Sequence, residues 1–304
     1  MIDDAVGDVA RAAAATGSLG RVYAGLRRSV AVSVGVVVLA GVIFVAVLAP
    51  VLATHNPIAN SLVDRLQPPS RAHLFGTDDF GRDVWSRVVW GSRVSLVVAL
   101  IVVGVAAIGG ASVGVVSGYF GGRLDLLTMR VVDLMLAFPA LLLALAVVAG
   151  LGSSLLNVII AVAVAFLPRF ARLQRAVTLA VREREFVGAA VALGSTHWRV
   201  LTRHVIPNCL APVLVMITVS AADAILVESS LSFLGLGVQP PAPTWGAVIS
   251  DGRSFLQNAP WISGLSGAAI MVTVLGLNLL GDGLRDLLDP TLRGEGIAVR
   301  KEQG

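Results

Sequence analysis

The chain has 304 residues, of which 56% are hydrophobic and only 14% are charged, and its mean hydropathy is +0.85. Soluble domains typically contain about 45–50% apolar and about 25% charged residues, so the composition excludes an ordinary soluble protein and indicates an integral membrane protein. The net charge is +4, and almost all of the basic residues are arginines. An excess of basic residues is typical of the cytoplasmic loops of membrane proteins. The sequence has no cluster of basic and aromatic residues of the kind that binds nucleic acid.

Six apolar runs are long enough to cross the hydrocarbon core, which takes about 20 residues. The first is too long for the apolar part of a signal peptide, which has about 7–15 residues. The third and fourth are separated only by a short glycine-containing gap, so we expect them to form a helical hairpin. The predicted spans are residues 30–53, 94–118, 130–150, 154–171, 209–232 and 262–281.

The distribution of basic residues predicts the orientation of these spans. If the N-terminus is cytoplasmic, the inner segments hold 17 of the 23 Lys and Arg residues and the outer segments hold the other six. Because cytoplasmic loops carry an excess of Lys and Arg, we predict that both termini lie inside. The segments 54–93 and 233–261 are then extracytoplasmic, and the long loop between the fourth and fifth spans is cytoplasmic.

This central loop contains a short helix-forming stretch of its own. The stretch Val187–Leu193 ends at Gly194, which suits a helix C-terminus because glycine takes positive φ without steric cost. The pair Ser195-Thr196 is placed to cap a second short helix that begins near His197. The pattern is compatible with a helix–turn–helix unit that projects from the membrane, and equally with a connection that lies on the lipid headgroups.

A second motif, in the first outer segment, runs from His73 to Arg87 and reads HLFGTDDFGRDVWSR. We expect Asp78 to cap a helix, and the pairs Asp78 with Arg82 and Asp83 with Arg87 have the four-residue spacing of neighbours on a helix face. The stretch could instead be an amphipathic helix that Trp85 and Trp90 anchor at the membrane interface.

Three carboxylates, Asp133, Asp223 and Glu228, fall within or beside predicted spans. Ionisable residues there are costly and usually face a bundle interior or a water-filled path. They either line a translocation path or hold helices together through Ser, Thr or backbone partners, and the sequence leaves both interpretations open.

These motifs resemble those of the permease subunits of ABC importers, in particular the C-type subunit of the oligopeptide, dipeptide and nickel family. The central loop is similar to the family's E-A-A loop at Ala189, Ala190, Gly194 and Pro207, although Gly188 stands where the family has glutamate. The outer motif resembles GTDxxGRDxxSR. The stretch from Glu228 to Gly246 resembles ExSLSFLGLGxQPPxPxWG, and the similarity extends over about residues 30–292.

The resemblance implies an all-α membrane protein with six transmembrane helices, the type I ABC-importer permease fold, in the bacterial plasma membrane. Its partners would be a second homologous permease, two ATP-binding subunits, an extracytoplasmic substrate-binding protein and membrane lipid. Closure of the ATPases would push the helix at 187–194 and open the path outward. The implied ATPase-coupling residues are Val187, Gly188, Ala189, Ala190, Leu193, Gly194 and Pro207.

The same resemblance implies a division of the chain into functional segments. These are a cytoplasmic tail (1–29), a first helix (30–53), an extracytoplasmic segment (54–93), a core transmembrane domain (94–285) with a coupling loop (172–207) and an outer loop (233–261), and a C-terminal tail (286–304).

The chain shows no signature of an enzyme or of a cofactor site. No G-x-x-x-x-G-K-[ST] phosphate loop is present, so any ATP would be hydrolysed by other chains. The four histidines are expected on different faces, without a metal-ligand pair, and Cys209 is expected to be a buried apolar residue. The expected function is uptake of dipeptides or oligopeptides. Alternatives are an importer of nickel or another small solute, a stand-alone secondary transporter, or a structural scaffold or intramembrane enzyme.

Overall fold

The computed structural model describes residues 30–288, and the predicted tails at 1–29 and beyond 288 lie outside them. Within this range the secondary structure is helical, apart from turns and one isolated β-bridge between Thr77 and Asp83. The α-helices are α1 (Val30–Val47), α2 (Ala49–Leu52), α3 (Val84–Phe120), α4 (Gly122–Leu136), α5 (Ala140–Leu151), α6 (Leu155–Arg182), α7 (Glu185–Ala192), α8 (His197–Val200), α9 (Ile206–Phe233), α10 (Trp245–Gly252) and α11 (Trp261–Leu288).

Five continuous helical stretches among the described residues are long and apolar enough to cross a membrane, and the bent pair α4–α5 can supply a sixth crossing. The span predicted at 130–150 is broken in the structure, where α4 and α5 meet at an angle of 92°. The break coincides with Pro139, the residue before α5. Proline disfavours the helical conformation in the residue before it and has no N–H to donate, so it weakens the helix at this point, although Pro168 and Pro212 are accommodated within α6 and α9.

Helix α3 is the longest element described, with 37 residues, and at about 1.5 Å per residue it is about 56 Å long. It packs most extensively against α6. Three glycines four residues apart, Gly110, Gly114 and Gly118, lie at this contact, and a Cβ on Gly114 would stand 2.4 Å from Ala171 O. Only glycine permits so close an approach of the two backbones, so the stripe fixes where α3 crosses α6.

Two apolar clusters hold the helices together. The larger joins α3, α5, α6, α9, α10 and α11 through buried side chains such as Phe166, Ile225 and Trp245. The smaller lies beneath the central loop and includes Tyr119, Val187 and the buried Cys209, which confirms the expected burial of that cysteine. Through this second cluster the central loop is fixed to the ends of α3, α6 and α9.

Candidate functional site

The central loop folds into a compact unit, here called the coupling knuckle (residues 185–200). Helix α7 ends where the sequence predicts, and Gly194 has φ of +80°, which confirms the expected glycine stop. The Thr196 side chain accepts a hydrogen bond from Arg199 N, so the predicted cap of α8 is also present. Five residues in a π-helical turn, Leu201–Val205, then lead into α9.

The seven sequence-predicted coupling residues divide into two groups. Val187 and Ala190 are buried in the cluster beneath the coupling knuckle and fix it to the transmembrane helices. The other five are exposed and are available to a docking partner: Gly188, Ala189, Leu193, Gly194 and Pro207. The structure therefore brings six of these residues together in the coupling knuckle, while Pro207 lies in the first turn of α9.

The exposed face of the coupling knuckle carries large apolar side chains, which is unusual for a loop between membrane helices. Leu193 is 87% exposed, and Trp198, which the sequence analysis missed, is 75% exposed. Large apolar side chains exposed together on a soluble surface mark interaction sites. The Tyr119 hydroxyl lies 3.0 Å from Nδ1 of His197 and so joins this face to the last turn of α3. A tryptophan four residues after the predicted glycine stop was the signal that could have identified the surface.

On the opposite side of the membrane, four charged residues form the outer cluster: Asp78, Arg82, Arg87 and Asp251. Arg82 Nε donates to Asp78 at 2.7 Å, and Arg87 Nη1 donates to the same carboxylate. Both guanidinium groups also contact Asp251 Oδ2, at 3.0 and 2.9 Å. Because Asp251 belongs to α10, the cluster ties the first outer segment to the outer loop.

The helix cap and one ion pair predicted in this motif are wrong. Asp83 rather than Asp78 caps the helix, and its side chain accepts from Ser86 N at 2.8 Å. Arg87 pairs with Asp78 instead of Asp83. The stretch before Val84 is a turn whose Gly81 has φ of +72°, so helical spacing does not apply there and the turn brings Asp78 to Arg87.

The two tryptophans considered as interfacial anchors lie at the start of α3. Trp85 is partly buried, and its Nε1 donates to Leu52 O at 2.9 Å, which joins α3 to α2. Trp90 lines an outer cleft together with Pro243. The motif is therefore an ordered turn packed on the helical bundle rather than a separate amphipathic helix.

Asp79 lies beside the outer cluster, and its pKa is raised. Burial, together with the negative charges of Asp78 and Asp251, raises the pKa of Asp79 above its ordinary value of 3.8, although Arg82 opposes the rise. The cluster thus holds the carboxylates of Asp78 and Asp251 between arginines, whereas burial and the negative charges of these two residues disfavour the ionised form of Asp79.

Each of the three intramembrane carboxylates has a hydrogen-bonding partner. Asp133 pairs with Arg172, and Asp223 pairs with Arg169 at 2.7 Å. Both pairs are substantially exposed on the isolated chain. Glu228 is buried and accepts a hydrogen bond from Ser232 Oγ at 2.8 Å.

Sequence reasoning missed the basic partners, which lie on one helix. Arg169, Arg172 and Arg175 recur every third residue of α6 and therefore share one side of it. Arg175 contacts Asp125 of α4 through two hydrogen bonds of 2.5 and 2.6 Å. The regular spacing of three arginines at the end of an apolar run was the available signal.

The structure also brings together two histidines that the sequence analysis expected on different faces. The imidazole rings of His55 and His73 are 4.6 Å apart, and both approach the carboxylate of Asp83. The expectation of scattered histidines is therefore wrong for this pair, because the turn-rich outer segment folds back on the start of α3.

The chain is similar to known families of membrane transport proteins and to individual members of them. The family "binding-protein-dependent transport system inner membrane component" matches residues 110–294, and the "N-terminal TM domain of oligopeptide transport permease C" matches residues 19–69. The chain is 45% identical to the dipeptide transport system permease protein DppC of Alkalihalophilus pseudofirmus, over 88% of each chain. It is 41% identical to the di/tripeptide transport system permease protein DppC of Pseudomonas aeruginosa, over 83% of this chain and 85% of that one.

Solved structures show the same fold at low sequence identity. The inward-facing MetNI methionine ABC transporter matches with a TM-score of 0.56 and 16% identity, over 66% of this chain and 96% of that one. An amino acid ABC transporter matches with a TM-score of 0.52, over 64% of this chain and 91% of that one. The predicted type I importer fold is thereby confirmed.

Proposed function

We propose that this chain, which belongs to the family of binding-protein-dependent transport system inner membrane components, takes part in the uptake of dipeptides and oligopeptides. As a member of that family it is a permease subunit of an ABC importer in the bacterial inner membrane, and it functions with ATP-binding subunits and a substrate-binding protein. The proposal of a peptide substrate rests on the 41–45% sequence identity between this chain and permeases named for dipeptides and tripeptides.

The substrate is tested by uptake in a strain that lacks its own peptide importers and expresses the complete transporter. We expect a radiolabelled Ala-Ala dipeptide to accumulate and an excess of unlabelled tripeptide to compete with it. Nickel uptake, measured in parallel with ⁶³Ni²⁺, is expected to stay at the background of the empty strain. Uptake of Ni²⁺ without uptake of dipeptide would favour the alternative, a metal importer.

We propose a complex in which this chain pairs with one homologous permease, two ATP-binding subunits and one extracytoplasmic binding protein. The apolar outer surfaces of the bundle and its exposed ion pairs support a permease partner, because charges are costly where lipid surrounds them. The test is mass spectrometry of the complex purified from detergent-solubilised membranes. A chain that purifies alone and monodisperse would contradict this composition and would reopen the stand-alone transporter alternative.

The ion pairs of Asp133 with Arg172 and Asp223 with Arg169 are our candidates for the translocation path. Both are exposed on the isolated chain although they lie on membrane helices, and such charges usually face a water-filled route or a partner helix. Glu228 is only 2% exposed, so we assign it a structural role within the chain. Reaction of an Asp223→Cys variant with a water-soluble thiol reagent in the assembled complex is expected, and complete protection would contradict the path assignment.

We further propose that the coupling knuckle docks on an ATP-binding subunit through Leu193 and Trp198. Its shape depends on Gly194, because an L-residue in the left-handed conformation costs about 1–2 kcal/mol. Gly194→Ala is therefore expected to reduce transport relative to ATP hydrolysis in proteoliposomes.

Gly41→Ala supplies a matched control for this experiment. Gly41 lies within α1, away from the coupling knuckle, and an added Cβ there meets no atom within 4 Å, so the same chemical change leaves the backbone conformation intact. Its ratio of transported substrate to hydrolysed ATP is expected to equal that of the unmodified complex. Equal ratios in Gly194→Ala and Gly41→Ala would contradict the coupling role.

A further inference from the structure

Three side chains that commonly bind metals meet on the outer side of the helical bundle. His55 follows α2, His73 lies in the first outer segment, and Asp83 immediately precedes α3. His73 Nδ1 lies 3.0 Å and His55 Nδ1 lies 3.7 Å from the same oxygen, Asp83 Oδ1. One ligand atom from each residue lies within 4.8 Å of the other two, so a single ion can contact all three.

The two measured spacings fit a tetrahedral ion. Zinc binds imidazole nitrogen and carboxylate oxygen at about 2.0–2.2 Å, and tetrahedral geometry then separates neighbouring ligand atoms by about 3.3 Å. The observed separations of 3.0 and 3.7 Å lie on either side of that value. The ligand atoms of the two imidazoles lie within 4.8 Å of each other, and rotation of the exposed His55 is the adjustment that would bring this third separation to the tetrahedral value.

Neighbouring groups already orient the ligands. The second oxygen of Asp83 accepts hydrogen bonds from Ser86 N at 2.8 Å and from Ser86 Oγ at 2.7 Å. The same Ser86 Oγ accepts from the backbone N of His55 at 3.0 Å. Asp83 Oδ1 is therefore free of these bonds and points to the imidazoles, and such orienting bonds are typical of metal sites.

One of the three ligands is exposed to solvent, so an ion can reach the site. The side chain of Asp83 is fully buried and that of His73 is 11% exposed, whereas His55 is 42% exposed. His55 also lines an open cleft of about 450 Å³ together with Asn56 and Trp90. An ion can enter through this cleft, and water can occupy a fourth ligand position on the same side.

We propose that His55, His73 and Asp83 form a binding site for a divalent transition-metal ion of the zinc type. Two imidazoles and one carboxylate are ligands that such ions accept. The ion replaces the proton shared between His73 Nδ1 and Asp83, and the imidazole adopts the tautomer protonated on Nε2. Because the ligands come from three separate stretches, the bound ion joins the end of α2, the outer segment and the start of α3.

The test uses the full-length chain, purified in detergent without a polyhistidine tag, with its bound subunits, and stripped of metal by a chelator. Zn²⁺ is titrated in competition with a chromophoric chelator of known affinity. The unmodified protein is expected to bind one Zn²⁺ at this site, and His55→Ala is expected to bind it more than about 100-fold more weakly. Loss of a residue that only orients a ligand already lowers metal affinity by about 10–100-fold, and His55 is itself a ligand. Saturating Zn²⁺ is expected to raise the Tm of the unmodified protein but not that of His55→Ala.

Two further variants separate metal binding from other effects. His204→Ala removes a histidine from the cytoplasmic side and is expected to bind Zn²⁺ as the unmodified protein does. His73→Asn removes the buried imidazole but retains a side chain that can donate to Asp83, and it is expected to lose the site while remaining folded. With Co²⁺ as a second probe, the absorption bands of tetrahedral cobalt are expected only when both His55 and His73 are present.

Either of two results would overturn the proposal. One is equal Zn²⁺ affinity and stoichiometry in the unmodified protein and in His55→Ala, which would reduce the three side chains to a hydrogen-bonded group. The other is an equal loss of binding in His204→Ala. Neither result depends on the transported substrate, so the site can fail while the importer function stands.

Discussion

The buried carboxylate of Asp78 provides the most direct test of the outer cluster. Its Oδ2 accepts from two guanidinium groups, while its Oδ1 accepts from the backbone N of Phe80 and of Arg82, both at 2.9 Å. The substitution Asp78→Asn can retain the two backbone bonds at Oδ1 but removes the negative charge. Arg82 and Arg87 then share the carboxylate of Asp251, and Arg82 has Asp79 as a second, more distant partner at 3.9 Å.

The expected loss of stability follows from the burial of these groups. Removing one partner of a buried ion pair costs about 3–5 kcal/mol. Asp251 remains within 3.0 Å of both arginines, so we expect the lower end, about 3 kcal/mol. In a domain of about this size each 1 kcal/mol shifts the melting temperature by about 2–4 °C, which predicts a decrease in Tm of about 6–12 °C.

Thermal unfolding of the purified protein in detergent, followed by tryptophan fluorescence, measures this decrease. Trp261 is a local probe, since its Nε1 donates to Thr77 O beside the cluster at 3.2 Å. Asp251→Asn is the matched control. Its side chain is 32% exposed, so water screens the pair and the cost is expected to be about 1 kcal/mol or less. Equal shifts for the two variants, or a shift below about 2 °C for Asp78→Asn, would refute this account of the cluster.

Three further predictions concern packing, pH and the buried glutamate. Gly114→Ala is expected to destabilise the chain by about 1–3 kcal/mol through overpacking against α6, whereas Gly104→Ala, with no atom within 4 Å, leaves Tm unchanged. Asp79→Asn is expected to raise Tm at pH 7, because the raised pKa of Asp79 means that its ionised form destabilises the folded state. This gain in Tm is expected to disappear below about pH 4, where the aspartate is protonated in both the folded and the unfolded state. Glu228→Gln is expected to retain the bond from Ser232 and to unfold at a higher temperature than Glu228→Ala; equal Tm values would contradict a structural role for that bond.

Local signals in the sequence were sufficient for the coupling knuckle. A glycine stop at Gly194 and a cap at Thr196 depend on residues within one or two helical turns, and both features are present. Such features need no knowledge of the tertiary fold because the backbone conformation itself selects the residue.

Contacts between residues that are far apart in the chain could not be predicted from the sequence. Asp251 lies more than 160 positions from both arginines of the outer cluster, and no spacing rule connects them. The meeting of His55 with His73 likewise depends on how a turn-rich segment folds back on α3. The bend at Pro139 differs from these cases, because its cause is local and the strong apolar character of the run concealed it.

One uninterrupted helix connects the two functional regions on opposite sides of the membrane. The first residue of α3 follows Asp83 at the outer cluster, and its last turn holds Tyr119 against His197 of the coupling knuckle. The glycine stripe holds α3 against α6, which bears the three arginines paired with Asp125, Asp133 and Asp223. Because backbone-to-backbone contact leaves little room for α3 to slide along α6, we infer that a displacement of the coupling knuckle tilts the two helices together. Such a tilt would move the ion pairs of α6 and the outer end of α3 at the same time.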